Sequence, residues 1–391
     1  MLTKEQNETI SRVAPGTAAG ELLRRYWHPV ALAQDLTDEQ PTHPVRILGE
    51  DLVLFKDKQG RVGLLADRCP HRGASLLYGR VEQRGIACPY HGWLFGADGR
   101  CHETPAEPAD SKFHLTVRHK AYPLQKFVGM YWTYMGPQPA PLLPRYDLWV
   151  RKDGRRRLIV QPRLDCNWFQ AMENSVDPSH LQVLHQSLIA RGRKIHSTTR
   201  GLTDDVADFD FYEFALGIMK RRSYKSGHVD EHPLIFPNIL RHARDTQIRT
   251  PIDDTHTRIT FVHFDATDDG SIVDESEDIL PVEYIKPYKN PPDAVHPFTR
   301  FRMDAVQAQD HMAWETQGAI ADRTNERLGS ADNGIVLLRA MLLREIAKVQ
   351  QGHDPLGVVR DPAKNAMLDT KLAESLVGPE CRGELRFARS A

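Results

Sequence analysis

A chain of 391 residues, at about 150 per domain, holds two or three domains and buries a sizeable core without disulfide staples. With 40% hydrophobic and 26% charged residues it has an ordinary globular composition, which excludes a disordered or fibrous protein. Its 51 basic residues nearly cancel 52 acidic ones, so a dedicated binder of nucleic acid or anionic membrane is not expected.

No apolar run reaches the roughly 18 residues that crossing a membrane takes, and the polar residues 1–6 lack the apolar core of a secretory signal. Five cysteines, sparse and odd in number, do not make a secreted disulfide framework. A cytoplasmic protein is expected. Residues 1–44 read as a lead-in packing on the later part, with a helix at 21–27 that Pro29 ends. Across 45–145 the pattern changes to short apolar runs separated by turn residues. Runs at 46–48 and 52–55 flank a turn at 49–51, a third follows at 61–65, and 129–134 closes a small all-β domain. Pro137, Pro139, Pro141 and Pro144 make an extended boundary. The remainder, 146–391, mixes strands at 157–160 and 258–264 with helices at 167–173, 305–320 and 334–350. In the last of these Leu338, Leu342, Glu345, Ile346 and Val349 share one face. The fold class is α+β, an all-β domain followed by a larger α+β domain.

The β domain carries Cys69-Pro70-His71 and Cys88-Pro89-Tyr90-His91, each offering one thiolate and one imidazole from a tight turn. Two cysteines on one iron and two histidines on the other are the ligands of a Rieske 2Fe–2S centre. Gly73 and Gly92 follow each histidine closely and permit the backbone to approach the sulfides. Structural zinc also takes two cysteines and two histidines, but usually pairs like with like; mixed halves favour the cluster.

Further on, Asp177, His180 and His185 form Asp-x2-His-x4-His. Asp177 and His180 share a helical face, whereas an ideal helix turns His185 about 140° away from His180, so the helix must be irregular there for both to bind one metal. Two histidines and a carboxylate with open positions form the Fe(II) oxygenase triad. The same segment also reads simply as a helix start, with Asp177-Pro178 as N-cap and first residue. A one-electron carrier upstream tips the balance, because it needs an acceptor. Asp304 and Asp310 are the candidates for the third ligand.

The motifs Cys-Pro-His-Arg-Gly-Ala at 69–74 and Cys-Pro-Tyr-His-Gly-Trp at 88–93 resemble the two cluster loops of the Rieske non-haem iron ring-hydroxylating oxygenases. Ala74 and Tyr90 stand where respiratory-chain Rieske proteins carry an extra cysteine pair, which sets that branch aside. Residues 22–27, 232–238 and 314–329 resemble the phthalate-dioxygenase branch, so the likeness spans nearly the whole chain. It implies a catalytic domain built as a helix-covered antiparallel sheet, with Cys69, His71, Cys88 and His91 on the cluster. It also implies that His180, His185 and Asp310, favoured by its place before Trp314-Glu315, hold a mononuclear iron. Asp177 would accept a hydrogen bond from His91 of a neighbouring subunit and contact His180, coupling the two centres, and Asn174 would lie beside the iron.

The implied activity is that of the oxygenase (alpha) component, using O2 to cis-dihydroxylate or O-dealkylate an aromatic, carboxylate-bearing substrate. Electrons would come from a separate NAD(P)H-dependent reductase carrying flavin and 2Fe–2S, since no GxGxxG fingerprint occurs here in a strand–helix setting. A homotrimer, with one subunit's cluster beside the next subunit's iron, is implied likewise. Arg241, Arg244 and the basic runs 191–194 and 220–222 are candidates for holding a carboxylate. Cys101, Cys166 and Cys381 read as ordinary thiols. The competing reading is an electron-transfer protein whose second domain only docks partners.

Overall fold

The computed structural model describes residues 1–185, 206–276, 278–286, 288–289, 305–368 and 370. Asp304, the basic run 191–194 and Cys381 lie outside these residues.

Helix α1 (Lys4–Ser11) starts with a capping box between Thr3 and Gln6, and α2 (Ala18–Leu23) is capped by the Thr17 hydroxyl. The helix expected at 21–27 ends at Leu23. Beyond it, β1 (Trp27–Leu32) is a strand with all six side chains buried. Pro29 is accommodated there because β1 is an edge strand with one neighbour and its register shifts just after Pro29.

Strands β2 (Thr42–Ile47), β3 (Glu50–Lys56) and β4 (Val62–Ala66) form one small sheet, and β5 (Arg80–Glu82), β6 (Gly85–Ala87), β7 (Leu94–Phe95) and β8 (Cys101–Glu103) form another. Strand β9 (Ala121–Tyr122) joins the first, while β10 (Leu124–Phe127) and β11 (Met130–Tyr134) complete a third with β1. The turn between β2 and β3 falls at Leu48-Gly49, one residue earlier than expected, because Ile47 pairs directly with Glu50. Both turn residues have positive φ, 48° and 76°, as a two-residue hairpin requires. The Leu48 and Gly49 N–H groups donate to the carbonyls of Pro251 and Ile252 at 3.1 and 3.0 Å, tying this hairpin to the later domain.

That domain contains α3 (Asp147–Val150), β12 (Gly154–Leu164), α4 (Trp168–Ser175) and α5 (His180–Val183). Strands β13 (Val206–Phe214), β14 (Gly217–Tyr224), β15 (Val229–Ile235), β16 (Ile239–His242), β17 (Asp245–Asp253), β18 (His256–Ala266) and β19 (Val282–Tyr284) follow. The chain then forms α6 (Val306–Glu315) and α7 (Asn333–Gln350). Eight strands pair in the order β13-β14-β15-β16-β17-β18-β12-β19, antiparallel except for the β12–β19 edge. This is the helix-covered sheet that the resemblance implies.

Period-two alternation gives the sheet two faces. Leu158, Val160, Ile248, Val262 and Phe264 pack with Trp132 and Trp149 on one face. On the other, Ile218 and Leu234 share a core with Trp168 and Met172 of α4 and Leu338, Leu342 and Ile346 of α7. Ile259 and Phe261 on that same face pack with Trp314 of α6. Helix α4, which leads into Asp177 and His180, and α6, which carries Asp310, therefore lie over one face of the sheet.

Candidate metal centres

The two cysteine–histidine loops fold by the same set of main-chain bonds. In the first, the Cys69 carbonyl accepts the Gly73 N–H at 2.8 Å and the Cys69 N–H donates to Ala74. In the second, the Cys88 carbonyl accepts the Gly92 N–H at 2.9 Å and the Cys88 N–H donates to Trp93. Gly73 and Gly92 both have positive φ, 75° and 72°, which closes each loop over its cysteine. Cys69 and Cys88 are buried in one apolar core with Trp93 and Phe95. His71 is exposed and His91 half-buried, with ring centres 4.6 Å apart. Trp93 stacks on His71 at 4.4 Å. Thiols inside and imidazoles at the surface is the layering that an inner iron with sulfur ligands and an outer iron with nitrogen ligands needs.

The second constellation forms where the chain leaves α4. Asp177 Oδ1 accepts the Ser179 N–H at 2.8 Å and the Ser179 hydroxyl at 2.6 Å, taking the capping role, while Oδ2 faces His180 Nδ1 at 3.5 Å. Burial works to raise the Asp177 pKa, but attraction to His180 and the Ser179 bonds override it and hold the carboxyl well below its usual range. Helix α5 is a single turn, so His185 lies beyond its end, and this break lets a histidine five residues on return to the same side.

Asp310, on α6, meets both rings, with Oδ1 3.7 Å from His180 Nε2 and 3.2 Å from His185 Nε2. Donor atoms of His180, His185 and Asp310 lie within 4.8 Å of one another. His185 Nε2 and Asp310 Oδ1 are buried without a hydrogen-bond partner, as ligand atoms aimed at a metal would be. His185 Nδ1 donates to Gln309 Oε1 at 2.8 Å. His185 thus uses Nδ1 for Gln309, His180 turns Nδ1 toward Asp177 without closing a hydrogen bond, and both direct Nε2 to the shared centre, the usual arrangement around protein-bound metals. Burial pushes the Asp310 carboxyl up, and the two histidines outweigh it, leaving the carboxylate favoured. Asn174 sits in the last turn of α4, where its carbonyl accepts the Asp177 N–H at 3.1 Å.

Gln309 escaped the reading of the sequence; its place beside Asp310 was the one available signal. Among the basic candidates, Arg241 is tied to Asp147 at 3.0 Å, Arg244 to Asp265 at 3.3 Å, and Arg222 to Asp230. These are structural pairs. Lys220, 4% exposed on the helix-covered face, has no carboxylate within ion-pair distance among the described residues. Burial first, then Arg222, lowers its pKa to about 8. Cys101 and Cys166 are buried, and burial pushes the Cys166 thiol up to about 12, so it is inert.

A one-electron carrier and an iron site with open positions in one chain define an oxygen-activating enzyme. Residues 26–127 match the family model of the Rieske [2Fe-2S] domain, and 297–371 match that described as LigXa C-terminal domain like. The chain is 37% identical to the 5,5'-dehydrodivanillate O-demethylase oxygenase subunit of Sphingobium sp. (strain NBRC 103272 / SYK-6), covering 93% of this chain and 85% of that one. It is 32% identical to the phthalate 4,5-dioxygenase oxygenase subunit of Pseudomonas putida, covering 91% and 89%. Among solved structures, NdmA of Pseudomonas putida CBB5 aligns with a TM-score of 0.60 at 20% identity, over 86% of this chain and 94% of that one. The chain belongs to the phthalate-dioxygenase-like Rieske non-haem iron oxygenases. It is accordingly an aromatic ring-hydroxylating oxidoreductase that takes a Rieske 2Fe–2S cluster and a mononuclear iron.

Proposed function

We propose that this chain is the terminal oxygenase component acting on an aromatic carboxylate, by cis-dihydroxylation or by O-demethylation. The convergence of His180, His185 and Asp310, with Asp177 behind His180, carries this reading. When bound, the two iron groups supply electron storage and O2 activation; the chain's own groups do the rest. Cys69, Cys88, His71 and His91 hold the cluster, and Asn174 and Asp177 anchor the turn before His180. Asp177 is held ionised, and its side chain is 23% exposed. It is therefore suited to accept a hydrogen bond from His91 of a neighbouring subunit, which would join the two centres across a homotrimer. Lys220, buried on the sheet face beneath the helices with no carboxylate partner among the described residues, is suited to a substrate carboxylate. The relatives named for phthalate, phenoxybenzoate and dehydrodivanillate support an aromatic acid.

A separate electron donor is needed, and we assign a flavin and 2Fe–2S reductase using NAD(P)H, working in the cytoplasm. No helix among the described residues is long and apolar enough to cross a membrane.

The test is iron counting with EPR of the dithionite-reduced protein, with and without nitric oxide. Three irons per chain, a reduced Rieske signal and an iron–nitrosyl signal are expected. Two irons with no nitrosyl signal would leave the electron-carrier reading and remove His180, His185 and Asp310 from any role.

A further inference from the structure

Arg249, on β17, is a guanidinium at 1% exposure with no carboxylate within ion-pair distance among the described residues. Its Nη2 donates to Gln247 Oε1 at 3.2 Å, and its Nη1 lies 3.6 Å from Met172 Sδ. Its Cζ sits 5.2 Å from the centre of the Trp314 ring. The main chain is pinned by a reciprocal pair with Asn238, in which the Arg249 N–H donates to the Asn238 carbonyl and Asn238 Nδ2 donates back to that of Arg249, both at 2.9 Å. A charge taken out of water is costly unless something compensates it.

The partners explain how it persists and what it does. A thioether, an amide oxygen and an indole face stabilise a cation without neutralising it. A carboxylate in contact would have cancelled its field; these groups leave that field intact. Met172 belongs to α4, which leads into Asp177, and Trp314 lies one helical turn beyond Asp310 on α6. The ring that Arg249 lies against is thus on the same helix as Asp310, and burial lowers the Arg249 pKa while the Asp310 charge opposes that.

We propose that Arg249 is a positioning residue for the metal centre, acting through Asp310: its uncancelled buried charge weakens the hold on a divalent ion and disfavours oxidation from ferrous to ferric. The oxidation step passes one electron from the metal to O2 and raises the charge near Arg249 by one, which is the change a neighbouring cation opposes. This rests on the triad reading of His180, His185 and Asp310.

The experiment uses protein with its cluster intact and its mononuclear iron removed by chelation, titrated with Co(II) in a calorimeter. Wild type should bind one Co(II), and Asp310→Ala none. If wild type binds none, the triad reading fails and Arg249 is not at issue. Arg249→Met keeps an unbranched stem but is shorter, and removes the guanidinium and its charge; it should bind Co(II) more tightly, on the order of three- to tenfold. Arg249→Lys should stay within about twofold of wild type, and Arg249→Gln replaces the Met variant if that does not fold. Loaded with Fe(II), the uncharged variant should build up the ferric EPR signal in air faster than wild type. Unchanged Co(II) affinity with a raised KM for an aromatic acid would make Arg249 a substrate anchor instead. Weaker Co(II) binding in the uncharged and Lys variants alike would make it scaffold, and either result overturns the proposal.

Discussion

Asp177 Oδ2 stands 3.5 Å from His180 Nδ1, and that contact decides which nitrogen of His180 is left for a metal. With Nδ1 facing Asp177, Nε2 faces Asp310. Asp177→Asn keeps the shape and the Ser179 bonds but loses the charge. It should retain three irons per chain while turnover falls about 10- to 100-fold. Stopped-flow reoxidation of the reduced cluster, with substrate and O2 present, checks this; an unchanged rate would sink the coupling role.

Gln309 sets the other histidine. Its amide oxygen accepts from His185 Nδ1 at 2.8 Å. Gln309→Leu should weaken Fe(II) binding by roughly 10- to 100-fold without touching the cluster's visible spectrum. Equilibrium dialysis against Fe(II) under anaerobic conditions measures it, and Gln309→Glu should recover most of the loss.

His185→Ala and Asp310→Ala remove ligands outright. Each should leave two irons per chain, an unaltered Rieske EPR signal and no nitrosyl adduct, because the cluster loops lie in a separate core. Loss of the Rieske signal in either variant would mean that the site supports the fold rather than the chemistry.

Helix α4 is held from behind by charge. Glu173 is buried between Arg323, at 2.7 Å, and Arg339, at 2.6 Å, and Arg339 also contacts Glu326. Removing one member strands the others in a dry site. Glu173→Gln should cost about 3 kcal/mol in denaturant unfolding, and iron occupancy should fall with it, since α4 leads directly to Asp177 and His180. Full stability in this variant would show that the arginines find other partners.

His263 gives the protein a pH-dependent component of stability. Burial acts to lower its pKa, but Asp245 at 2.7 Å and Asp265 at 3.2 Å raise it to about 9. A folded pKa above the unfolded value of about 6.5 means the charged ring stabilises the fold fully below that pH. The contribution, about 3 kcal/mol, should disappear as pH rises through about 9. Urea unfolding at pH 6 and pH 9.5 measures it, and His263→Gln should flatten the difference.

Both metal-site motifs were legible in the sequence because their ligands are local. Cys69 to His71 and Cys88 to His91 are each one turn, and Asp177 to His185 is one short segment. Asp310 stood beside Asp304 as a candidate, and only the family resemblance favoured it, since a ligand brought in from another helix leaves no spacing to read. Gln309, Lys220 and Arg249 depend on which strand lies under which helix, and a single sequence does not state that pairing. Residues 24–27 read as the end of a helix because Leu22, Leu23 and Tyr26 fit a helical period; at Trp27 burial against β11 prevailed. The turn at Leu48-Gly49 slipped by one because a leucine at positive φ is rare, and here the Pro251 and Ile252 carbonyls help hold it.

Those two bonds, from Leu48 and Gly49 to the rim of the large sheet, involve no side chain at all. A joint made of peptide groups draws on no side chain of its acceptor residues, and at Leu48 and Gly49 it asks only for residues that accept positive φ and keep their N–H. Mutation can therefore rewrite the side chains that line the sheet, and so the compound the enzyme accepts, while the seam between the domains keeps its bonds. Relatives with names as different as phthalate dioxygenase and dehydrodivanillate demethylase are what such an inheritance would leave behind.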